Sequence, residues 1–182
     1  MRIWIDAGHG WENRSNLGYD PGACANGATE ADTVLTLALT GKWLLESRGF
    51  DVFMSRDDDK DSVPVGMRAS RAARAGCTLG ISLHMNAGSP LATGTETFYR
   101  DAADKRWALE VQSLAIHSCG LRDRGVKGEG QSQHPHLAVM DFQPPMCLLE
   151  AGFITNRNDL RRVNTRDNRI KFWNSIAAHL DA

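Results

Sequence analysis

Stretches with the composition of buried β-strands alternate along this chain with stretches that have the period of amphipathic helices. The strand signals are RIWID, DVFMSR, TLGISLHMNA, GTETFYR, HLAVMDF and PMCLLEAGF. The third of them is nearly continuous in apolar character, which is typical of a central strand that is buried on both faces. Such alternation predicts an α/β fold with a mainly parallel twisted sheet of about six strands and helices on both faces.

The helix signals have recognisable ends. Thr29 predicts an N-cap, with Asp32 three residues further on, and Gly49 is expected to end that helix. One face of the helix carries apolar or small residues at helical spacing: Val34, Leu37, Ala38, Gly41, Leu44 and Leu45. Further helices are predicted over GMRASRAARAG, over residues 102–119 and from Asn158 onward.

Length and composition limit the possible functions. The 182 residues fit one domain over residues 1–182, and 42% hydrophobic with 24% charged residues is ordinary for a globular protein. A formal net charge of −1 gives no electrostatic footprint for nucleic acid or an acidic membrane surface. No run reaches the roughly 18 apolar residues of a membrane span. We therefore expect a monomer without nucleic acid or membrane as a partner.

The sequence gives no reason to expect export or disulfide formation. Met1 and Arg2 lead directly into the first strand signal, without the charged and apolar regions of a secretory signal, so cytoplasmic synthesis is expected. The four cysteines are widely spaced and form no C-x-x-C pair; they are Cys24, Cys77, Cys119 and Cys147. We expect free, mostly buried thiols.

Four polar residues stand where strands end or where the first helix begins. His9 follows the first strand between two glycines, at the start of a loop rich in Gly, Asn and Asp. His84 lies in SLHMNA and Glu150 in LLEAGF, while Glu30 begins the first helix. Ligands of such sheets bind beyond the carboxyl ends of the strands. Two imidazoles, one carboxylate and an open position are typical of catalytic zinc, and a second carboxylate can act as the base.

Each of these residues also has a non-catalytic interpretation. The helix dipole alone favours Glu30 in a first helical turn. His84 could be a core histidine with both nitrogens hydrogen-bonded. Glu150 is flanked by apolar residues on both sides, so its carboxylate must be paired, protonated or catalytic. The spacings of 21 and 54 residues from His9 to Glu30 and from Glu30 to His84 match no local metal motif.

The remaining histidines have weaker claims. His134 and His136 in GEGQSQHPHL are an alternative metal pair, although a groove-lining loop is the preferred interpretation. His117 and His179 lie on predicted helices, where structural or solvated roles are expected.

Two further carboxylates are candidates for supporting roles. Glu96 in TETFY either orients a ligand histidine or packs within its strand. Asp6, at the end of the first strand, is expected to brace the glycine loop by accepting backbone N–H bonds.

From Ile3 to about Asn156 the chain resembles zinc-dependent N-acetylmuramoyl-L-alanine amidases of type 3. The segments that carry the resemblance occur in the family's order: IDAGHG, DPGA before GATE, GFDVFMSRDDD, MRASRAARAG, ISLHMNA, GTETFY, RGVKG, LAVM and LLEAGFITN. The resemblance implies that His9, Glu30 and His84 bind Zn²⁺ and that Glu150 is the catalytic glutamate. It also implies the reaction, hydrolysis of the amide between N-acetylmuramic acid and the L-alanine of the stem peptide in peptidoglycan.

The chain departs from the family pattern close to the first histidine. Where the family often has a second glycine after Gly-His-Gly, this chain has Trp11, and WENRSNLGY lengthens the loop before the DPGA segment. These differences concern the shape of the substrate groove more than the metal. Polar loops before Glu30 and around residues 131–136 are expected to line that groove.

The biological setting and the rival functions stay open at the level of sequence. A lone catalytic domain without signal or wall-binding repeat resembles a phage or prophage endolysin, which acts on the wall after release. A host autolysin and an amidase of sporulating bacteria are further possibilities. The rivals are another zinc peptidase, such as a carboxypeptidase, and a non-catalytic cell-wall-binding domain. No basic set for a free carboxylate stands out, and the presence of Glu150 disfavours a binder.

Overall fold

The centre of the molecule is a six-stranded sheet. A computed structural model describes residues 1–14, 18–58, 60–61, 63–134 and 136–182. In chain order the strands are β1 Arg2–Ala7, β2 Asp51–Met54, β3 Leu79–Asn86, β4 Thr95–Tyr99, β5 Asp123–Gly128 and β6 Met146–Phe153. Across the sheet their order is β2-β1-β3-β6-β4-β5. The first four in this order are mutually parallel, whereas β4 and β5 run in the opposite direction. The predicted mainly parallel sheet with a central third strand is confirmed.

In the described part of the chain, five α-helices connect or follow these strands. They are α1 Glu30–Ser47, α2 Val65–Arg74, α3 Ala102–Cys119, α4 Arg157–Asn164 and α5 Arg166–Leu180. The predicted N-cap of α1 is confirmed, because the Thr29 hydroxyl accepts the Asp32 N–H at 3.1 Å. The predicted helical tail consists of two helices that are separated at Thr165. Among the described residues, no helix is both long and apolar enough to cross a membrane.

The sheet buries both of its faces, as the nearly continuous apolar strands require. Successive residues of β1 point to opposite sides. Ile3 and Ile5 belong to the larger core, together with buried residues of α1, α3 and α5. Trp4 belongs to a second core with Ala69 and Ala72 of α2. Helices therefore cover both faces, as predicted.

The prediction of a strand over HLAVMDF is wrong. Residues Ala138–Asp141 form a 3-10 turn, whose Val139 and Met140 pack in the second core. The apolar residues of this segment therefore reflect burial against the sheet and not strand pairing. The fifth strand is instead Asp123–Gly128, in a glycine-rich stretch of low strand propensity. It lies at the edge of the sheet and, within the described chain, pairs only with β4.

The long loop before α1 contains more structure than the sequence indicated. Gly10–Trp11 pairs with Tyr19–Asp20 as a short antiparallel ladder, and Cys24–Ala25 pairs with Ala28–Thr29. Trp11 and Tyr19, the two ends of the lengthened stretch WENRSNLGY, pair in the first of these ladders, and residues 15–17 lie outside the described part of the chain.

Candidate metal centre and substrate groove

The four candidate residues meet at the carboxyl ends of the parallel strands. His9 follows β1, and His84 of β3 is the direct cross-strand partner of Glu150 in β6. Glu30 is the first residue of α1. All four line one cavity of about 540 Å³, whose walls also include Arg14, residues 19–23 and residues 131–134. The structure thus brings together side chains that are far apart in sequence, and the predicted groove loops lie where they were expected.

Three of these residues present metal-binding atoms to one point. One nitrogen each of His9 and His84 and one oxygen of Glu30 lie within 4.8 Å of one another. His9 Nε2 lies 3.0 Å and His84 Nδ1 lies 2.9 Å from Glu30 Oε1. A tetrahedral zinc ion with bonds of about 2.0–2.1 Å holds its ligand atoms roughly 3.3 Å apart, so this donor set fits zinc in both chemistry and spacing. Three protein ligands leave one position for a substrate or water.

Asp20 orients His9, a role that sequence reasoning did not assign. Its Oδ2 lies 3.1 Å from His9 Nδ1, which favours the hydrogen on Nδ1 and leaves the Nε2 lone pair facing Glu30. Asn13 Nδ2 and the Gly22 N–H also donate to this carboxylate, at 2.7 and 2.9 Å. Burial by itself raises the pKa of Asp20, but these hydrogen bonds and His9 hold it below the usual range. The only signal in the sequence was the DPGA segment itself.

Glu30 is fixed from both of its oxygens. The Ala23 N–H donates to Oε2 and the Met85 N–H donates to Oε1, each at 3.0 Å. Burial alone would raise the pKa of Glu30, but hydrogen bonds and charge from His84 and His9 hold that pKa far below the usual range. The same interactions raise the pKa of His9 against the opposing effect of burial. Glu30 therefore presents an ionised carboxylate to the two histidines.

Glu150 lines the same cavity but is not part of the group of side chains that could hold a metal. Its Oε2 is buried and has no hydrogen-bond partner among the described residues. Burial, and then the charges of Glu30 and Glu96, raises the pKa of Glu150 well above its usual value. A buried carboxylate oxygen without a partner is costly for stability, so its position beside the donors points to a functional requirement.

The glycines around His9 make room for the site. A side chain at Gly8 would meet the His84 ring at 2.4 Å, and one at Gly22 would meet Glu30 and His9 at 2.7–2.8 Å. Gly10 has a φ of 98°, a conformation that favours glycine. The glycines therefore serve close approach: Gly8 makes room for the His84 ring, and Gly22 makes room for Glu30 and His9.

Two buried arginines hold the carbonyl groups of this loop. Arg56 donates to the carbonyl oxygens of Ala7 and Gly8 at 3.0 and 2.9 Å. Arg68 donates to those of Ala7 and His9 at 2.9 and 2.6 Å. Both side chains are about 1% exposed. We call this pair the arginine clamp; it fixes the backbone that presents His9, whose φ is 62°.

The expected role of Asp6 is wrong in its detail. Asp6 accepts from Arg68 Nη1 at 2.9 Å and from the Ser82 hydroxyl at 2.5 Å, and not from backbone N–H groups of the loop. Burial would raise the pKa of Asp6, but Arg68 and the hydroxyl hydrogen bonds hold it below the usual range. Asp6 therefore supports the loop through Arg68.

Glu96 does not orient a ligand histidine. It accepts from Arg124 Nε at 2.7 Å, from Lys127 Nζ at 2.6 Å and from Asn86 Nδ2 at 2.8 Å. This carboxylate, the cross-strand neighbour of Glu150, therefore ties the edge strand β5 to the wall of the cavity.

His134 and His136 do not form a metal pair. His134 lines the cavity, whereas His136 lies beside Arg100 and Asp141. Among the described residues the only group that could hold a metal is the set already given. His117 and His179 lie on α3 and α5 and do not line the cavity.

Arg100 forms hydrogen bonds at both ends of the segment that follows β5 and lines the groove. Its guanidinium donates to both carboxylate oxygens of Glu129 and to the carbonyl oxygen of Leu137. The Leu137 N–H donates to Glu129 Oε2 at 3.1 Å. The two ends of the segment 130–136, which includes the groove-lining residues 131–134, are thus joined at one arginine.

At one edge of a mainly parallel α/β sheet lie two imidazoles and a carboxylate that could hold a metal, with a separate buried carboxylate beside them. This arrangement defines a candidate single-metal hydrolase. A family model described as N-acetylmuramoyl-L-alanine amidase matches residues 3–182, and the chain belongs to this family.

Comparison with known proteins agrees with this assignment. The chain is 32% identical to the uncharacterised protein YqiI of Bacillus subtilis (strain 168), over 99% of this chain and 83% of YqiI. It is 30% identical to the endolysin of Bacillus phage SPP1, over 86% of this chain but only 56% of the endolysin. The solved catalytic domain of CwlV, an N-acetylmuramoyl-L-alanine amidase from Bacillus (Paenibacillus) polymyxa var. colistinus, superposes with a TM-score of 0.84 at 26% identity, covering 99% and 98% of the two chains. The predicted fold and family are confirmed.

Proposed function

We propose that this chain is a zinc-dependent peptidoglycan hydrolase that cleaves the amide between N-acetylmuramic acid and the L-alanine of the stem peptide. The observation that carries the proposal is that the site contains two kinds of residue, a group that could hold a metal and a separate buried carboxylate. Three side chains converge on one point at zinc-ligand spacing, while Glu150 keeps a buried oxygen without a partner among the described residues beside them. Family membership supplies the substrate class.

In this proposal His9, Glu30 and His84 hold the ion and Glu150 moves the proton. When bound, zinc polarises the scissile carbonyl and makes a water more acidic. Glu150 Oε2 accepts a proton from the attacking water and returns it to the leaving alanine nitrogen. Its burial and the neighbouring carboxylates raise its pKa, which suits the return of the proton, whereas a nearby cation lowers the pKa and suits its removal.

The groove suits a polymer with a branch. Tyr19 and His134 lie on its two loop walls, and Leu148 and Phe98 add apolar surface. A stem peptide can enter between the walls while the glycan lies across the rim.

The endolysin-like setting is also a proposal. In this proposal the protein is made in the cytoplasm as a monomer and reaches the wall after release; similarity to a protein named as an endolysin supports the setting. Light scattering should give one chain per particle, and fractionation of producing cells should place the protein with the cytoplasm until the membrane is permeabilised.

The test of the activity is digestion of purified cell wall, with and without a chelator, followed by mass analysis of the products. We expect new L-alanine amino termini and no new reducing sugar ends, loss of activity with the chelator and recovery with Zn²⁺. His9→Ala and His84→Ala should lose the metal, whereas His117→Ala, on the outer side of α3, should retain it. Release of carboxy-terminal residues or of reducing ends would contradict the proposal.

A further inference from the structure

Two aromatic side chains stand together at the mouth of the groove. Trp11 and Tyr19 are direct partners in the short ladder before α1, and their ring centroids are 5.7 Å apart at an angle of 59°. Tyr19 lines the cavity, and Trp11 beside it is 43% exposed. The pair extends the wall of the groove outward from the metal centre.

This aromatic pair is rigidly connected to the site. The next pair of the same ladder is Gly10 with Asp20, and Asp20 is the residue that orients His9. The Tyr19 hydroxyl donates to Asp32 at 3.2 Å, and the Val63 N–H donates to the Trp11 carbonyl at 3.3 Å. The Tyr19 hydroxyl and the Trp11 backbone are thus each held by a hydrogen bond, beside the ladder pair that contains Asp20.

Exposure of Trp11 is unusual for this protein. Trp4, Trp107 and Trp173 are all at most 6% exposed. The only other exposed tryptophan in the described part of the chain is Trp43, on α1, which does not line the cavity. A cross-strand aromatic pair stabilises a ladder, but that role does not require a half-exposed indole at the rim of a groove.

We propose that Trp11 and Tyr19 form a saccharide subsite, on which a sugar ring of the glycan strand stacks while the peptide reaches the metal centre. The electron-rich faces of aromatic rings attract the C–H groups of a pyranose, and Arg14 and Asp20 of the same wall can bind its hydroxyls. This subsite rests on the proposed function, and it names the sugar next to N-acetylmuramic acid as the part of the substrate that is bound.

Binding can be tested without catalysis, because so few tryptophans are exposed. In a Trp43→Phe protein, Trp11 is the only exposed tryptophan of the described chain. A peptide-free oligomer of N-acetylglucosamine should protect its fluorescence from quenching by acrylamide. Tyr19→Ala in the same background keeps the Trp11 fluorophore and should weaken the protection. No protection in the Trp43→Phe protein would overturn the subsite.

Kinetics provide the second test. Trp11→Ala should raise KM about 3- to 10-fold for a tetrasaccharide that carries the stem peptide, and leave KM unchanged for N-acetylmuramoyl-peptide with one sugar. Trp43→Ala is the matched control and should change neither. An equal loss on both substrates would assign Trp11 a merely structural role. If the parent protein cleaves neither substrate, the proposed function fails, while the quenching experiment still decides the subsite.

Discussion

At the scale of single residues, the proposed chemistry depends on which carboxylate oxygens of the site accept hydrogen bonds from the protein. Glu30 is held from both oxygens, whereas Glu150 Oε2 has no hydrogen-bond partner among the described residues. An oxygen without a structural partner can be changed without breaking a hydrogen bond. Glu150 is therefore the residue at which catalysis and stability are most easily separated.

Glu150→Gln should lower turnover by about 10²–10⁴ and retain the metal, because the amide keeps the size of the side chain but cannot accept the proton. The measurements are kcat on purified wall and zinc content by elemental analysis. Glu46→Gln, at an exposed position on α1, is the control. Loss of zinc from the Glu150→Gln protein would make Glu150 a ligand instead of the base.

Asp20→Asn should weaken zinc binding about 10- to 100-fold, since the histidine loses the carboxylate that fixes its ring and its tautomer. Competition with a zinc-binding dye measures the affinity. Asp32→Asn is a matched control, because Asp32 is exposed and accepts a hydrogen bond from the Tyr19 hydroxyl instead of from His9. Equal affinities of the Asp20→Asn protein and the parent would show that His9 needs no such partner.

The sequence predicted the site better at strand ends than inside loops. His9, His84 and Glu150 could be placed because parallel strands bring their carboxyl ends to one edge. The roles of Asp20 and of the arginine clamp were not predicted, because they depend on how a loop of about twenty residues folds back onto the site. In one interpretation Glu96 orients a ligand histidine, but its carboxylate instead accepts hydrogen bonds from Arg124 and Lys127 of the edge strand.

At the scale of elements, α2 is attached to β1 by a buried ion pair. Arg68 and Asp6 are each about 1% exposed, and Arg68 also holds carbonyl groups of the loop that carries His9. The pair therefore joins the stability of the sheet to the geometry of the site.

Arg68→Met should lower the free energy of unfolding by about 3–5 kcal/mol, because it leaves the Asp6 carboxylate buried without its partner. Urea denaturation at pH 7 measures this, and Arg71→Met, on the exposed side of the same helix, is the control. A loss no larger than that of the control would contradict the prediction.

The same pair predicts a dependence on pH. The folded-state pKa of Asp6 lies below its usual value of 3.8, so its stabilising contribution is complete above that value and is lost as the pH falls through the folded-state pKa. An Asp6→Asn, Arg68→Met double variant lacks this contribution. Its free energy of unfolding should fall less steeply below about pH 4 than that of the parent.

The errors in the predicted elements have a common cause. The glycine-rich edge strand β5 has little intrinsic strand propensity, and pairing with β4 and contacts of its basic residues with Glu96 hold it in place. The 3-10 turn Ala138–Asp141 has apolar residues because it covers the sheet. The local sequence pattern predicted the central strands, whereas the secondary structure of these two peripheral segments depends on their tertiary contacts.

At the scale of the whole molecule, the cysteines differ in burial, and the two buried ones lie in different cores. All four cysteines are free, as expected; Cys77 and Cys147 are buried, Cys119 is partly buried and Cys24 is exposed. Cys77 lies in the core on the α2 side and Cys147 in the core on the opposite face. Burial raises the pKa of Cys77 and of Cys119 to about 11, which makes both thiols slow to react.

In the native protein a thiol reagent should therefore modify Cys24 quickly and the other three slowly. If residues 1–182 unfold as one domain, Cys77 and Cys147 should become reactive at the same urea concentration. Mass spectrometry after timed labelling measures each site, and Cys24→Ser removes the fast phase. Separate midpoints for the two buried thiols would show that the two faces unfold independently.

The segment that follows the edge strand β5 makes the groove suitable for engineering. The proposed ligands lie after β1, at the start of α1 and in β3. Residues 131–134 of the opposite wall follow β5, and Arg100 joins Glu129 and Leu137 on either side of them. A segment between fixed anchor points can be exchanged as a cassette, in the way that antibody loops are varied on a constant framework. Libraries confined to residues 131–134 should therefore change how the groove accepts its substrate while the proposed ligand residues stay constant.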